Sequence, residues 1–541
     1  MLRQDLVVVG ILLLVYGALY HQSAAEPVVS GAHTSRARPM PRSLERRVGV
    51  LAVALVLVGI AGHYTVMWSY AFSRDEQMVL FDAAVFRSGH FVARLPEEWA
   101  PYHAALNMLF IPRGMEGTGW ISLYSPVNAA LHALGGMAGT PALTNPLLAA
   151  AGLVATWQVA RRVLPDDSES QWVAVLLYAC STQVMANAMT TYAMTGHLAL
   201  NMIWLALLLH DRWYSHIGAL VIGVLAIGLH QVVYHPLFAG PFLFFLLVLR
   251  RRWGLSLAYA VVYAAAIVLW TKFSWFAWHE LAAGPGVPRE RSPWDRLVWT
   301  LAAISPEYLW LKCAYLIRFV TWEHVLLLPL FAAGMAPIVR SRDPRLLGMI
   351  AAIAVLIVAK TILRPYQGHG WGYRYMHGVI GIVCIVAAVG WRKLRDEGAI
   401  EPKHLKYATA VSLLVVSPWL LYQSHAFAGA YARVDRQIAA TDADMVVIDD
   451  TVPAFNLDLV YNPPYVDARP VRLAASKLDE GDISALCQRG SMAFVDSRVL
   501  APIAAIFGQA PVAASGTASP LRDAAVRASC AIRPLGHDAI D

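Results

Sequence analysis

The sequence predicts a polytopic α-helical membrane protein with about 11 transmembrane helices, external juxtamembrane helices and a small C-terminal extracytoplasmic α/β domain. Of the 541 residues, 58% are hydrophobic and only 15% are charged. Soluble domains contain about 25% charged residues, so this composition is typical of a membrane protein. Apolar runs recur from Val48 to Tyr422 with short Arg/Lys clusters between them, and the chain becomes more polar after Tyr422.

The N-terminal segment 1–47 has two interpretations. Leu6 to Tyr20 is apolar but shorter than the roughly 20 residues that a span needs, so it is either a weak extra span or part of an over-extended start before Met40. Five arginines follow between positions 36 and 47, which favours a cytoplasmic location for that stretch. Val48 to Ser69 is then the first strong span.

Positively charged connections predict which side of the membrane each loop of the remaining chain lies on. Basic connections follow alternate apolar runs, at 161–162, 211–212, 250–252, 340–345 and 392–406, and such connections are typically cytoplasmic. We therefore expect a transmembrane domain over 48–422 with a large external loop at 71–142, and an extracytoplasmic domain over 423–541. A loop of that length is usually functional.

The C-terminal segment contains short β-like runs at Met445 to Ile448 and Met492 to Val495, which predict strands of an α/β domain. Cys487 and Cys530 are its two cysteines. If the segment lies outside the cytoplasm, we expect them to form a disulfide. The cysteine spacing does not suggest a zinc site.

The net charge of +7 is modest and is distributed among the connections between apolar runs. A nucleic-acid-binding protein would instead show a basic stretch with interleaved aromatic residues, so we expect membrane lipid and no nucleic acid as a partner.

The acidic pair Asp75 and Glu76 follows the first strong span. Charge beside a bilayer is costly and is therefore a functional hypothesis by default. The alternative is structural, with Ser73 and Glu76 forming a capping box. Met78, Phe81 and Val85 would then form the apolar face of a helix in the membrane interface.

A second candidate is the glycine- and aromatic-rich loop that contains Arg374. A guanidinium group can hold a phosphate with two hydrogen bonds, although a snorkelling interface arginine is the competing interpretation. His197, His235 and His369 are candidate substrate contacts, and structural interface histidines are the alternative. A carboxylate that accepts a proton from a hydroxyl, with an arginine for phosphate, suits transfer from a lipid-phosphate donor.

Several short motifs, in this order and sidedness, resemble the GT-C superfamily of membrane glycosyltransferases, in the protein O-mannosyltransferase and aminoarabinose-transferase (family 39-like) branch. The likeness covers roughly residues 48–390. The motifs are Asp75-Glu76, Tyr124-Ser125-Pro126, Ala160-Arg161-Arg162 and the loop from Gly370 to Tyr375.

The resemblance implies transfer of a single sugar from a polyprenyl-phosphate carrier to an extracytoplasmic acceptor (a glycan, a lipid or a protein), with inversion at the anomeric carbon. It implies that Asp75 is the general base, assisted by Glu76, and that Arg374 with Tyr373 or Tyr375 holds the donor phosphate. Where many members have an acid after the third span, this chain has Met194-Thr195-Gly196-His197. No divalent metal or other cofactor is therefore expected, and His197 is at most a substitute for that acid.

Other classes remain open. A lipid-linked glycan flippase would show mid-span charges and an internal repeat, whereas this sequence has few mid-span charges and no evident repeat. An O-antigen-ligase-like or polymerase enzyme would place its chemistry in one long late loop, and an inactive member would use its C-terminal domain for binding. We expect a bacterial inner-membrane location with a periplasmic C-terminal domain, because the C-terminus carries no eukaryotic sorting signal.

Overall fold

The computed structural model describes residues 2–25, 42–106, 119–122, 124–276, 295, 298, 301–302, 305–363, 367–368, 370–451, 456–509 and 518–536. Met40 and His369 lie outside these residues. The chain forms two compact units. The helical unit comprises Met1–His63, Ala142–Thr271 and Glu290–Gln423, and the mixed unit comprises Tyr64–Pro141, Lys272–Arg289 and Ser424–Asp541.

Helices account for most of the described chain. In order they are α1 (Leu2–Ala25), α2 (Arg42–Thr65), α3 (Arg74–Arg87), α4 (His103–Leu106), α5 (Val127–Met137), α6 (Thr144–Val163), α7 (Ser168–Ala179), α8 (Thr182–Ala188), α9 (Ala193–His210), α10 (Trp213–Ile227), α11 (Tyr234–Leu243), α12 (Trp253–Phe276), α13 (Pro306–Thr321), α14 (Leu327–Ser341), α15 (Pro344–Leu363), α16 (Ile380–Asp396), α17 (Pro402–Val411), α18 (Ser417–Ala439), α19 (Glu480–Cys487), α20 (Ala501–Ile506) and α21 (Ala518–Arg527).

The strands are β1 (Ala93–Arg94), β2 (Gly119–Trp120), β3 (Met445–Ile448), β4 (Val471–Ala474) and β5 (Met492–Val495). Short 3₁₀ helices include Glu97–Tyr102, Arg374–Val379 and Asn456–Leu459.

Among the described residues, six helices are long and apolar enough to cross a membrane: Leu44–Thr65, Ala193–His210, Trp253–Phe273, Pro344–Ile362, Arg374–Asp396 and Pro402–Ala439. Four shorter apolar helices accompany them, at Gln4–Leu19, Trp213–Ile227, Tyr234–Val248 and Leu327–Ser341. The chain is therefore largely helical and integral to the membrane, and the count of about 11 spans stays a prediction.

Small residues let two helices of the helical unit cross closely. A Cβ atom at Gly390 of α16 would lie 1.8 Å from the backbone oxygen of Leu330, and one at Gly334 of α14 would lie 2.3 Å from that of Val386. This is the close packing that glycine permits between apolar helices.

Helix α1 packs within the helical unit. Its buried Asp5 accepts hydrogen bonds from Thr321 Oγ1 (3.2 Å) and Trp322 Nε1 (3.1 Å), and Tyr16 donates to the backbone oxygen of Val325 (2.8 Å). The apolar run at 6–20 is thus a helix with specific polar contacts to the α13–α14 region.

The mixed unit contains a three-stranded parallel sheet of order β4-β3-β5. Both β-like runs identified in the sequence are strands of this sheet, and their residues are buried. A disulfide joins Cys487, at the end of α19, to Cys530, with Cα atoms 5.1 Å apart.

The 71–142 stretch and the C-terminal sheet share one hydrophobic core. Met78, Phe81 and Val85 of α3 are at most 1% exposed. They belong to the same cluster as these sheet residues: Met445, Val447, Val471, Leu473, Met492 and Phe494. The prediction that this face of α3 lies in the membrane interface is wrong, because protein buries it. Each large side chain contributes roughly 1.5–3 kcal/mol when buried.

Candidate functional site

The acidic pair lies at the first turn of α3, which begins at Arg74. Glu76 is buried, with 2% of its surface exposed, whereas Asp75 is half-buried. The predicted capping box is wrong, because Ser73 makes no side-chain capping hydrogen bond. The backbone oxygen of Ser73 instead accepts from the amides of Glu76 and Gln77, at 2.9 Å each. The pair is therefore positioned by the helix and its surroundings rather than by a cap.

Tyr124 holds the Asp75 carboxylate. Its phenol donates a hydrogen bond to Asp75 Oδ1. The backbone around Tyr124 is itself fixed, since Ser122 donates through its amide and hydroxyl to Asp82, and Tyr124 N donates to Ser122 Oγ at 3.2 Å. The hydrogen bond from Tyr124 thus fixes the orientation of the Asp75 carboxylate.

A second contact fixes the start of α3 from the C-terminal part of the chain. Arg74 Nε lies 3.7 Å from Asp458 Oδ1, and Arg74 Nη2 donates to the backbone oxygen of Leu457. Gln77 Nε2 donates to the backbone oxygen of Asp458 at 2.6 Å. Arg74, Gln77 and Asp458 are all at least nine-tenths buried.

Burial shifts two carboxyl groups of this region. It raises the pKa of Asp82 to about 7, partly opposed by the Ser122 hydrogen bonds. Burial likewise raises the pKa of Asp458 to about 7, where the Arg74 charge lowers it and the Asp75 charge raises it. The carboxyl groups of Asp82 and Asp458 are therefore each partly protonated near neutral pH.

In the helical unit, two buried glutamines shape the Arg374 loop. Gln183 accepts from Tyr373 N and donates to Tyr373 O, both at 3.1 Å. Gln367 accepts from Arg374 N and donates to Gly372 O, both at 3.2 Å. Gly372 has a φ of +68°, and a Cβ atom there would lie 2.2 Å from Gln183 Oε1, so only glycine fits.

Aromatic rings surround the guanidinium of Arg374, which is 8% exposed. Its Cζ lies 5.4 Å from the ring centre of Tyr192 and 5.6 Å from that of Tyr375. Tyr373 instead stacks on Tyr315, with ring centres 5.2 Å apart. Tyr375 is therefore the tyrosine of this predicted pair that accompanies Arg374.

Lys360 is a further buried cation beside this loop. Its Nζ lies 3.3 Å from the ring centre of Tyr234 and 5.1 Å from that of Tyr375. Lys360 is 1% exposed. Two buried cations thus face one tyrosine, an arrangement that suits an anion.

The predicted histidines separate into different roles. His197 lines a cavity with Tyr234, Arg374 and Tyr375, and neither of its ring nitrogens has a hydrogen-bond partner among the described residues. His235 uses both nitrogens, with Asn201 Oδ1 at 2.9 Å and the Tyr263 hydroxyl at 2.8 Å. His197 is therefore available to a ligand and His235 is part of a structural network.

Sequence reasoning missed Tyr124, Asp458, Gln183, Gln367 and Lys360 as site residues. Tyr124 stands in the Tyr-Ser-Pro motif, and a lysine near the end of an apolar helix is a recognisable signal. The two glutamines and Asp458 carry no such signal. Within the described part of the chain, no group of three or more His, Cys, Asp or Glu side chains could hold a metal ion.

These features define the class as a largely helical integral membrane protein with a mixed α/β unit and a carboxylate held at the start of α3. No protein-family model matches the chain, and no curated protein matches it.

Two similar solved structures are of ArnT from Cupriavidus metallidurans. The structure bound to undecaprenyl phosphate has a TM-score of 0.48 and 15% identity, covering 77% of this chain and 85% of that chain. The apo structure has a TM-score of 0.45 and 14% identity, covering 78% and 85%. ArnT is an aminoarabinose transferase of the GT-C family, the branch that the sequence motifs resemble.

Proposed function

We propose that this protein is a GT-C-type membrane glycosyltransferase that moves a single sugar from a polyprenyl-phosphate carrier to an extracytoplasmic acceptor, with inversion. The observation that carries the proposal is the carboxylate of Asp75, half-buried at the start of α3 and oriented by Tyr124. Such a group can accept a proton from a hydroxyl that approaches its exposed side.

The reaction assigns one role to each group. The acceptor hydroxyl attacks the anomeric carbon from the face opposite the phosphate, and Asp75 takes its proton. The bond between the anomeric carbon and the phosphate oxygen breaks, and polyprenyl phosphate leaves with the electron pair. The configuration at the anomeric carbon is thereby inverted.

In this proposal, Arg374 and Tyr375 of the helical unit bind the phosphate of the polyprenyl-phosphate donor. Arg374 is permanently charged, and its planar group can bind two phosphate oxygens at once. Lys360 adds a second buried charge near the same tyrosine. We infer that these cations bind the donor phosphate, with His197 as a further polar contact.

The proposal includes a location in a bacterial inner membrane, with the mixed unit in the periplasm. The basic clusters between apolar runs support this orientation. The acceptor in this proposal is a glycan, a lipid or a protein on the periplasmic side.

The test is complementation of a deletion strain with wild type, Asp75→Asn and Glu76→Gln, while surface glycans and polyprenyl-phosphate sugars are profiled together. Asp467→Asn, at an exposed site of the mixed unit, is the matched control. We expect Asp75→Asn to abolish one glycan modification and to accumulate the lipid-linked monosaccharide. If both acidic-pair variants behave as wild type, the transferase proposal is wrong and a flippase or a binding protein replaces it.

A further inference from the structure

A short 3₁₀ helix of the C-terminal part of the chain, Asn456–Leu459, contacts the residues that flank the acidic pair. Its backbone oxygens at Leu457 and Asp458 accept hydrogen bonds from Arg74 and Gln77. The hydroxyl of Tyr70 also donates to the Asp458 oxygen, at 3.2 Å. Residues on both sides of Asp75 are thus tied to the same helical turn.

The Asp458 side chain adds charge to these contacts. Its carboxylate lies 3.7 Å from Arg74 Nε, and Arg74 immediately precedes Asp75. Arg74 is 3% exposed and Asp458 is 5% exposed. In a buried ion pair, loss of one partner is destabilising, because it leaves the other charge buried and uncompensated. Burial raises the pKa of Asp458, and the Asp75 charge raises it further.

The sheet in turn fixes the 3₁₀ helix. Asn456 Nδ2 donates to the backbone oxygen of Asp449, which directly follows β3, at 3.2 Å. Asn462 Nδ2 donates to Arg472 O in β4 at 2.8 Å, and Arg472 N donates back to Asn462 Oδ1 at 2.9 Å. The segment that carries Asp458 is therefore held at both ends by the parallel sheet.

We propose that Asp458 is a positioning residue for Asp75, and that the C-terminal sheet is a working part of the transferase rather than a separate binding module. This inference rests on the proposed function, in which Asp75 is the general base. Tyr124 holds the carboxylate of Asp75, while Asp458 and its neighbours hold the turn from which that carboxylate projects.

The test compares Asp458→Asn with Asp458→Glu in the full-length protein. Asp444→Asn is the matched control. Asp444 directly precedes β3, whereas Asp449 directly follows it. Like Asp458, Asp444 is a carboxylate with local partners, since it accepts hydrogen bonds from the amide and hydroxyl of Ser491. The first readout is hydrogen–deuterium exchange of the amides in the first turns of α3. The second readout is kcat and KM, obtained from the transfer rate in membranes at different acceptor concentrations. The donor and acceptor for this assay are those that the complementation profile identifies.

We expect Asp458→Asn to speed exchange at the start of α3 and to lower kcat about 10- to 100-fold with little change in KM, since misplacement of a reacting group has effects of that size. Asp458→Glu keeps the charge and should recover part of the rate. Asp444→Asn should leave exchange at α3 and kcat unchanged. If Asp458→Asn does not accumulate in membranes, the Glu variant takes its place, with a smaller expected fall.

Opposite outcomes separate the two proposals. If Asp75→Asn is inactive while the Asp458 variants match the Asp444 control in exchange and kcat, the positioning role is overturned and the transferase proposal stands. If the kcat of the Asp458 and Asp444 variants falls equally in step with thermal stability, the role is merely structural and the inference fails. If Asp75→Asn is fully active, the transferase proposal itself fails and the positioning role falls with it.

Discussion

The phenol of Tyr124 donates a hydrogen bond to the carboxylate of Asp75, although 49 positions separate the two residues in the sequence. The contact depends on Asp82, which lies about two turns further along α3 than Asp75. Asp82 accepts two hydrogen bonds from Ser122, which stands close to Tyr124 in the chain. Helix α3 therefore supplies both the candidate base and the anchor for the residue that orients it.

Replacement of Tyr124 by Phe should lower the transfer rate about 10- to 150-fold and leave the fold intact, because it removes one hydrogen bond to a charged group, worth about 1.5–3 kcal/mol. The initial rate of loss of the lipid-linked sugar in membranes measures this effect. Tyr465→Phe is the control, because the Tyr465 hydroxyl contacts the exposed Ser88 at the other end of α3. Equal rates in the two variants would contradict the role of Tyr124.

Replacement of Arg374 by Gln should weaken binding of undecaprenyl phosphate by about 10-fold or more, since a charge-assisted hydrogen bond contributes about 1.5–3 kcal/mol and Gln cannot supply the charge. Native mass spectrometry of the purified protein with added undecaprenyl phosphate gives the relative affinity. Arg340→Gln, at an exposed position near the end of α14, controls for the loss of a positive charge. Unaltered binding by the Arg374 variant would remove this residue from the phosphate site.

The stability of the mixed unit should fall as pH rises from about 4 to about 7. The pKa of Asp82 is raised from 3.8 to about 7 in the folded protein, so between these values the folded state binds a proton that the unfolded state has released. Stability is therefore greatest below the unfolded pKa and declines until the folded pKa is passed.

Asp82→Asn should flatten this pH dependence of the melting temperature, measured by thermal unfolding across that range. Part of the slope should remain, because the pKa of Asp458 is raised in the same direction. The exposed Asp467→Asn variant should keep the full slope. A wild-type slope in Asp82→Asn would show that Asp82 titrates normally.

Gly390→Ala should destabilise the helical unit by about 1–3 kcal/mol, the usual effect of overpacking. The added methyl group would collide with the backbone of Leu330, which cannot move aside as a flexible side chain does. Gly254→Ala is the matched control, since a Cβ atom there meets nothing within 4 Å. Thermal unfolding in detergent should show a lower melting temperature for the first variant only.

Loss of the disulfide should destabilise the mixed unit by about 2–5 kcal/mol. Cys487 and Cys530 are 43 positions apart, so Cys487→Ser releases a long loop in the unfolded chain. Mass spectrometry without reduction should find the two peptides linked, and Cys313→Ser, which alters an exposed free cysteine, should leave the melting temperature unchanged. Free thiols at both positions in native protein would contradict an oxidising, extracytoplasmic location.

The sequence by itself determined the features that depend on local pattern and composition. Hydrophobic runs predicted an apolar helical protein, because a span must satisfy its own backbone hydrogen bonds and face lipid. Period and composition also identified the strands at Met445–Ile448 and Met492–Val495. The motifs singled out Asp75 and Arg374 as residue types suited to proton transfer and phosphate binding.

Only the tertiary structure decided what surrounds those residues. The apolar face of α3 has the same pattern whether it meets lipid or protein, and the structure shows that it packs into a core with the C-terminal sheet. The contacts of Asp75 with Tyr124, and of Arg74 with Asp458, join positions far apart in sequence. No local pattern encodes such pairs, because they arise from packing of whole elements against one another.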